Sequence, residues 1–240
     1  MASRFQIFAL MAGILLSTGA PASTVLESAS GTIRAIAPGT SGIAVKKGQR
    51  ISTGSTVVTS AKSQAILRFD DGQKIFLGAS TEFTVLEYAF SVAEPKMDKF
   101  VFELHKGAIR AISSTLTSRN RAAYELRLPQ AALAVLGTDF MVALSDATYL
   151  SVLKGTVSVI NLAGAAAFGP GMAATVASRK QLATAVSSGT FPQSVRDAFK
   201  QLSLVAQNPT ANGPAPVRAD SSGWHETAGL AVPAVSTRLH

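Results

Sequence analysis

The sequence predicts an all-β protein, a coiled or rolled antiparallel sheet of β-solenoid-like or sandwich-like form, with a C-terminal helix and a disordered tail. Between residues 42 and 176, short runs of alternating apolar and polar residues are broken by glycine turns, which is typical of β-structure. Helical spacing of apolar residues is confined to about 192–206. The composition fits a folded chain with many turns, because 47% of residues are hydrophobic and 15% charged, with 19 Gly and 10 Pro.

The first 22 residues have the features of a signal peptide. Arg4 precedes a mostly apolar run over residues 5–16, and small residues follow up to Ala22, where they match the A-x-A pattern of a cleavage site. The run is shorter than the ~20 apolar residues that a membrane-spanning helix needs. We therefore expect cleavage after Ala22, a periplasmic or secreted product, and no transmembrane segment after cleavage. The alternative is a leader retained as an anchor.

Three strand-turn-strand units are predicted inside the β-region. In the first, Ala65, Leu67 and Phe69 share one face, residues 70–72 supply the turn, and residues 74–77 run back as the second strand. The second unit runs from Phe100 and turns at residues 106–107. The third runs from Leu150 and turns at residues 154–155. Each of the last two turns is a Lys-Gly pair followed by an apolar strand.

The end of the chain changes character. Val195, Phe199 and Leu202 recur at helical spacing after Pro192, which predicts a helix over about 192–206 with one apolar stripe. The tail contains four prolines among Ala, Gly and Ser, a composition that buries little surface. The predicted organisation is listed in chain order: a signal peptide at 1–22, a β-domain at 23–178 with its core at 42–176, a helical appendage at 179–207, and a flexible tail at 208–240.

The chain is strongly basic, with a formal net charge of +8. Removal of Arg4 with the leader leaves 21 basic against 14 acidic residues, a net charge of +7. An exported basic protein meets anionic lipid and acidic polymers rather than nucleic acid. The densest basic segment suggests a polyanion-binding surface, and its residues are Lys106, Arg110, Arg119, Arg121 and Arg127. The alternative is a set of solvated charges that protect strand edges from pairing.

The residues that common active sites require are mostly missing. The chain has no cysteine, and of its three histidines only His105 lies in the predicted fold. His105 adjoins a predicted Lys-Gly turn and no nucleophile elbow accompanies it, which argues against a Ser-His-Asp site. Asp70 and Asp71 are adjacent and point to opposite faces, so they suit a turn better than paired acid–base catalysis. We therefore predict a non-enzyme with no cofactor, no metal and no catalytic residue.

Several short motifs occur in a particular order along the β-region. Residues 48–54 read GQRISTG and residues 65–72 read AILRFDDG. They are followed by LHKGAIR at 104–110, LPQA at 128–131 and LGTDF at 136–140. The series closes with VLKGTV at 152–157 and a glycine turn at 169–171. Together these segments resemble the FecR domain over about residues 42–176.

The resemblance implies a structural role for its best-defined motif, Gly137, Thr138, Asp139 and Phe140. We expect the glycine to make a tight bend, Thr138 and Asp139 to bond nearby backbone amides, and Phe140 to enter the core. The alternative, Asp139 as a catalyst or ligand, has no identifiable partner in the sequence. Leu136 stands where the family usually has Arg, so any contact made by that Arg is missing.

The function implied is that of an exported, non-enzymatic binding or scaffolding module of the bacterial cell envelope. Its expected partner is an envelope protein or an anionic polymer. The alternative is a periplasmic sensor or signalling partner of a TonB-dependent receptor or a sigma-factor regulatory system. FecR proteins themselves carry a cytoplasmic segment and a membrane helix before this domain. The sequence begins instead with the predicted leader, so we carry over only the extracytoplasmic module.

Overall fold

A computed structural model of the chain describes residues 23–114, 120 and 122–207. It contains fifteen strands and one α-helix, α1, at Gln193–Gln207. The strands are β1 Thr24–Ser30, β2 Ile33–Ile36, β3 Ile43–Ala44, β4 Arg50–Ile51, β5 Thr56–Thr59, β6 Gln64–Phe69, β7 Lys74–Leu77, β8 Glu82–Ala89, β9 Lys99–Ile112, β10 Tyr124–Arg127, β11 Ala132–Leu144, β12 Thr148–Asn161, β13 Gly164–Phe168, β14 Ala173–Val176 and β15 Thr184–Val186.

The short strands join into long bent runs that zigzag through the sheet. β1 and β2 form one run, which pairs antiparallel with β6 and β5. The β5–β6 run then pairs with β8 and β7, and these two pair with successive halves of β9. On its other edge β9 pairs with β10 and then with β11. The β9–β10 pair is parallel, and the other ladders of the described sheet are antiparallel.

Gly107 bends β9 at the point where its neighbours change. Its φ of +85° is left-handed, a conformation that glycine adopts without steric cost. The hydroxyl of buried Thr81 accepts a hydrogen bond from the Ala108 N–H at 3.1 Å and lies 3.2 Å from the Ala108 carbonyl oxygen. Thr59 continues the contact, donating to the Gly78 carbonyl at 2.6 Å. The Thr81 hydroxyl thus gives the Ala108 N–H an acceptor at the bend, and the Ala108 carbonyl also accepts from the Gly78 N–H at 2.9 Å.

The structure confirms the first predicted hairpin and corrects the other two. β6 and β7 pair antiparallel across residues 70–73, as expected. Lys106–Gly107 and Lys154–Gly155 are not turns, because β9 and β12 each continue as one strand past these residues. The left-handed glycine makes a bend rather than a reversal, since the flanking strands continue to pair on both sides of it.

The core has two parts on opposite sides of the sheet. The larger part fills the interior and includes fully buried Phe69, Phe83, Phe100, Phe102 and Phe140. The smaller part lies between the outer face of the sheet and α1, whose buried residues are Val195, Phe199, Leu202 and Val205. The predicted helical stripe is therefore confirmed, and it is one residue longer than the sequence spacing indicated.

The rolled, mostly β fold with a C-terminal helix agrees with the sequence. The strands close into a five-stranded barrel with further strands added, rather than the expected solenoid-like or sandwich-like arrangement. Segment 179–207, predicted as a helical appendage, contains strand β15 as well as α1. The predicted signal peptide 1–22 and tail 208–240 lie outside the described residues.

Replacing Gly107 with alanine tests the bend in β9. A Cβ there would lie 2.6 Å from the Thr81 Cα and 2.8 Å from the Ser80 carbonyl oxygen, both of which are backbone atoms. Left-handed strain alone costs about 1 kcal/mol, and the backbone clash adds to it. We expect Gly107→Ala to lower the free energy of unfolding by about 3 kcal/mol or more, measured by urea denaturation.

Two other glycines separate the cost of a left-handed φ from the cost of the backbone clash. Gly39 has a φ of +73° with no atom near its added Cβ, and Gly169 has neither a left-handed φ nor a neighbour. We expect Gly39→Ala to cost about 1 kcal/mol and Gly169→Ala to cost nothing or to stabilise slightly. Equal costs at all three positions would contradict the steric role of the bend.

Candidate functional site

A bidentate ion pair joins two of the sequence motifs. Arg110 lies in the second half of β9 and Asp139 lies on β11, the neighbouring strand. Arg110 Nε donates to Asp139 Oδ1 at 2.8 Å, and its Nη2 donates to Oδ2 at 2.7 Å. The two side chains are only 12% and 18% exposed. A parallel pair of charge-assisted bonds in a largely buried position fixes both side chains and the strands that carry them.

The backbone around Asp139 forms a bulge rather than a regular ladder. Gly137 has a φ of +59°, and the register between β11 and β12 shifts between Leu136 and Asp139. Ser113 holds the bulge, because its hydroxyl accepts from the Thr138 N–H at 2.6 Å and donates to the Thr138 carbonyl at 2.9 Å. Phe140 is fully buried, as expected.

The side chains of Thr138 and Asp139 do not bond nearby backbone amides, contrary to the sequence-based expectation. The Thr138 hydroxyl is buried without a hydrogen-bond partner, and Asp139 binds Arg110 instead. The motif is therefore held by Ser113, which bonds the Thr138 backbone, and by Arg110, which binds the Asp139 side chain. Since each oxygen of Asp139 accepts from Arg110, this carboxylate is part of the scaffold.

The five basic positions have different surroundings. Lys106 is exposed on β9, whereas the guanidinium of Arg110 is taken up by Asp139. Arg127 is exposed at the end of β10 and pairs with Glu125 at 2.8 Å, a contact that raises the pKa of Arg127. Arg119 and Arg121 lie outside the described residues. Of the described positions, Lys106 and Arg127 are thus exposed, and Arg127 is already paired with Glu125.

A groove of about 320 Å³ lies beside Arg127, where the ends of β10 and β12 meet the loop before β11. Its walls combine the motif segment 128–131 with the end of β12 and Arg179. Hydrogen bonds hold these walls in place. Arg179 Nε donates to the Pro129 carbonyl at 2.6 Å, and Thr148 Oγ1 donates to Gln130 Oε1 at 2.6 Å.

The groove combines apolar surface with positive charge. Ile160 and Leu162 line it and are 46% and 77% exposed. Arg127 and Arg179 supply two guanidinium groups, and Glu103 supplies the acidic group of the lining. A groove with this lining suits a segment that carries both an apolar side chain and a carboxylate.

The sequence indicated Arg127 as a site residue but missed Arg179, Ile160 and Leu162. Arg179 is 50 positions from the carbonyl that it contacts, so no local pattern links the two. Leu162 gave a weak signal, since it is a large apolar residue between Asn161 and Ala163 at a hairpin tip. The pairing of β11 with β12 puts Ile160 opposite Ala132, and the hydrogen bond from Arg179 to Pro129 adds the other wall of the groove.

A buried polar cluster surrounds Asp71 at the β6–β7 turn. Asp71 Oδ2 accepts from Ser114 Oγ at 2.9 Å, and Oδ1 accepts from the Gln73 N–H and the Tyr88 hydroxyl, each at 3.3 Å. Burial raises the pKa of Asp71, which these hydrogen bonds oppose. Burial also raises the pKa values of the Tyr88 and Tyr124 phenols. Asp71 and Gln73 are 4% and 0% exposed, so their side chains lie inside the fold.

His105 contacts a hydroxyl group, as a catalytic histidine would, but no carboxylate hydrogen-bonds its other ring nitrogen. His105 Nε2 lies 2.9 Å from Thr84 Oγ1, and its Nδ1 lies 3.8 Å from Glu103, too far for a hydrogen bond. The Thr84 hydroxyl also bonds the Thr56 hydroxyl at 2.8 Å, and Thr84 is buried. The hydroxyl is thus held between two neighbours and faces no open site.

The described part of the chain has neither a metal-binding cluster nor a membrane-spanning helix. No group of three or more His, Asp or Glu side chains there is arranged to hold a metal ion. None of its helices combines the length and the apolar character required to cross a membrane.

The family comparison matches the middle of the chain. The family model described as FecR protein covers residues 55–158, from just before β5 into β12. This range contains the Arg110–Asp139 pair and part of the groove wall, but not Leu162 or Arg179. No curated protein matches the chain.

The solved structures that match this chain include two crystal structures of a proposed anti-sigma factor from Parabacteroides distasonis. They are 18% and 17% identical in sequence, with TM-scores of 0.45 and 0.44. Each match covers 55% of this chain, and the chain spans 59% of the length of that protein.

Removing Arg110 tests the scaffold role of the ion pair. Arg110→Met leaves the largely buried Asp139 carboxylate without its cation, so we expect a loss of about 2 kcal/mol or more in the free energy of unfolding. The matched variant Arg127→Met breaks a pair whose side chains are 50% and 41% exposed. It should cost less than about 1 kcal/mol. Similar losses in the two variants, measured by urea denaturation, would refute this assignment.

Asp71 predicts a specific pH dependence of stability. Because its pKa is raised in the folded protein above the ordinary value of 3.8, the folded state binds the proton more tightly than the unfolded state. Relative to an Asp71→Asn variant, the native chain should therefore gain stability as the pH falls through the raised pKa toward 3.8. Urea denaturation of both proteins across this range checks the sign. A relative loss of stability on acidification would contradict the burial argument.

Proposed function

We propose that this chain, whose residues 55–158 form a FecR domain, is a non-enzymatic regulatory protein of the bacterial cell envelope that acts by binding a protein partner. The single observation that carries the proposal is the FecR match, which supports a FecR-like regulatory role. The predicted leader supports an exported location. The basic net charge of +8 supports a partner surface with acidic groups.

The groove beside Arg127 is our proposed docking site for that partner. It is lined by Leu128, Gln130 and Ala131 of the motif segment and by the guanidinium groups of Arg179 and of Arg127, the second of which is paired with Glu125. Leu162 projects from the hairpin tip into solvent and supplies an apolar contact. The partner segment that fits is an extended peptide with an acidic and an apolar side chain, presented by another envelope protein.

Two roles are compatible with such docking. In the first, the protein is a signalling partner of a receptor or a sigma-factor system, which the FecR domain favours. In the second, it is a scaffolding module that holds envelope components together. The identity of the bound protein distinguishes the roles, since a receptor or regulator supports the first and a structural envelope protein supports the second.

Site-specific photo-crosslinking tests the docking site in the cells that produce the protein. A photoreactive phenylalanine analogue is placed at position 162 of the full chain, and adducts are identified by mass spectrometry. We expect a discrete protein adduct. Position 92 is the matched control, because Val92 is 76% exposed and Leu162 is 77% exposed. The same adduct at position 92 would indicate random collision.

A charge reversal at Arg179 then tests the electrostatic part of the site. Arg179→Glu should lower the adduct yield at position 162 about tenfold, because it replaces one of the two cations with an anion. Lys47→Glu, an exposed charge reversal that does not line the groove, serves as the control. Recovery of acidic polymer without protein, or an adduct insensitive to Arg179→Glu, would refute the proposal.

A further inference from the structure

Ser23, directly before β1, is held by a carboxylate of the β6–β7 turn. The Ser23 backbone nitrogen donates to Asp70 Oδ2 at 2.6 Å, and the Ser23 hydroxyl donates to Asp70 Oδ1 at 3.0 Å. Both oxygens of Asp70 therefore accept from one residue that lies 47 positions earlier in the chain. The two bonds fix the Ser23 nitrogen beside the carboxylate.

The backbone next to this contact is also fixed. Thr24 is 2% exposed and pairs with Phe69 of β6 and with Ile51 of β4. An ordinary surface ion pair must order two long side chains, and this entropic cost offsets most of its gain. The Ser23 nitrogen belongs to a strand that is already ordered, and Asp70 has a short side chain. A positive charge on this nitrogen would therefore meet the carboxylate at a smaller entropic cost.

The charge of Asp70 is left without a cation. No lysine, arginine or histidine of the described residues forms an ion pair with it, although the chain has 22 basic and 14 acidic residues. The neighbouring cations contact Glu27 of β1 instead, Arg68 at 3.3 Å and Lys74 at 2.7 Å. Asp70 is thus available to a different cation at the position of the Ser23 nitrogen.

The sequence places the predicted cleavage site directly before Ser23. The small residues up to Ala22 match the A-x-A pattern. Hydrolysis breaks the C–N bond between Ala22 and Ser23, and water supplies the oxygen of the new Ala22 carboxylate. The released Ser23 nitrogen takes up protons and becomes an α-ammonium group, which is the main form at neutral pH. The nitrogen that contacts Asp70 thereby acquires a positive charge.

From this geometry we infer that Asp70 is the counter-ion of the mature N-terminus, so that removal of the leader creates an ion pair that fastens β1 to the β6–β7 turn. The position of cleavage decides whether the pair forms. Each additional residue before Ser23 moves the α-amino group by up to about 3.5 Å, beyond the reach of the same contact.

The inference rests on the predicted cleavage and not on the proposed docking, because neither Ser23 nor Asp70 lines the groove. The two proposals can therefore fail separately. Intact mass measurement and N-terminal sequencing of the protein purified from the cells that produce it test the cleavage. We expect Ser23 as the first residue. A different first residue, or a retained leader, would overturn the inference.

Titration of the α-amino group by NMR, with ¹³C-labelled serine, tests the ion pair. The pKa of the Ser23 α-amino group should be higher in the native chain than in Asp70→Asn, with the proton bound about threefold more tightly. Glu94→Gln is the matched control, because Glu94 is exposed and has no contact with Ser23. It should leave this pKa unchanged. Equal pKa values in the native chain and Asp70→Asn would refute the pair.

Other charged residues on the elements beside Ser23 also act on its α-amino group. Arg50 of β4 and Arg68 of β6 both lie opposite Val25, two residues after Ser23, and they repel an ammonium group. The comparison with Asp70→Asn isolates Asp70 because all of these residues are present in both proteins. They are Glu27, Lys46, Lys47, Arg50, Arg68, Asp71 and Lys74.

Urea denaturation across pH gives an independent check. A raised pKa in the folded state stabilises the protein fully below the unfolded pKa, and this gain is lost as the pH rises through the folded pKa. The stability advantage of the native chain over Asp70→Asn should therefore shrink between about pH 7 and 9.5, where α-amino groups titrate. An advantage that stays constant over this range would indicate neutral hydrogen bonds alone and overturn the inference.

Discussion

The bend in β9 at Gly107 is the constraint on which the rest of the structure depends. Before the bend β9 pairs with β8 and β10, and after it β9 pairs with β7 and β11. Gly107 permits the change of direction. The Thr81 hydroxyl accepts from the Ala108 N–H, and the Ala108 carbonyl accepts from the Gly78 N–H at 2.9 Å. Gly107 and the Thr81 hydroxyl therefore allow the single strand β9 to pair with four neighbours, β7, β8, β10 and β11.

The bend also determines where the charged residues lie. Because β9 continues beyond Gly107, Arg110 reaches the edge shared with β11 and meets Asp139. Arg110 therefore has a structural role, whereas Lys106 and Arg127 of the same basic set are exposed. The ion pair lies beside the Gly137 bulge, so the same contact that neutralises Arg110 also fixes the backbone where β11 is irregular.

The surface is divided into regions with different chemistry. The groove beside Arg127 has cations, an apolar rim and walls held by hydrogen bonds, which suits a partner of opposite charge. The exposed side chains of β13 are Ala165 and Ala167, which are small and uncharged. Asp71 is buried, and the part of its desolvation that hydrogen bonds do not offset affects stability rather than recognition. These differences follow from which residues the strands turn outward and which they bury.

The sequence by itself determined the β-class, the hairpin at residues 65–77 and the apolar stripe of α1, because alternation and helical spacing are local properties. It also identified the Gly137–Phe140 motif, whose bend and buried phenylalanine are local too. Only the tertiary structure decided that Lys106–Gly107 bends a strand instead of ending it, since that depends on neighbours contributed by distant segments. The pairing of Arg110 with Asp139 and the groove formed with Arg179 were likewise beyond the sequence. Each joins residues far apart in the chain, and Arg110 meets Asp139 only because β9 pairs with β11.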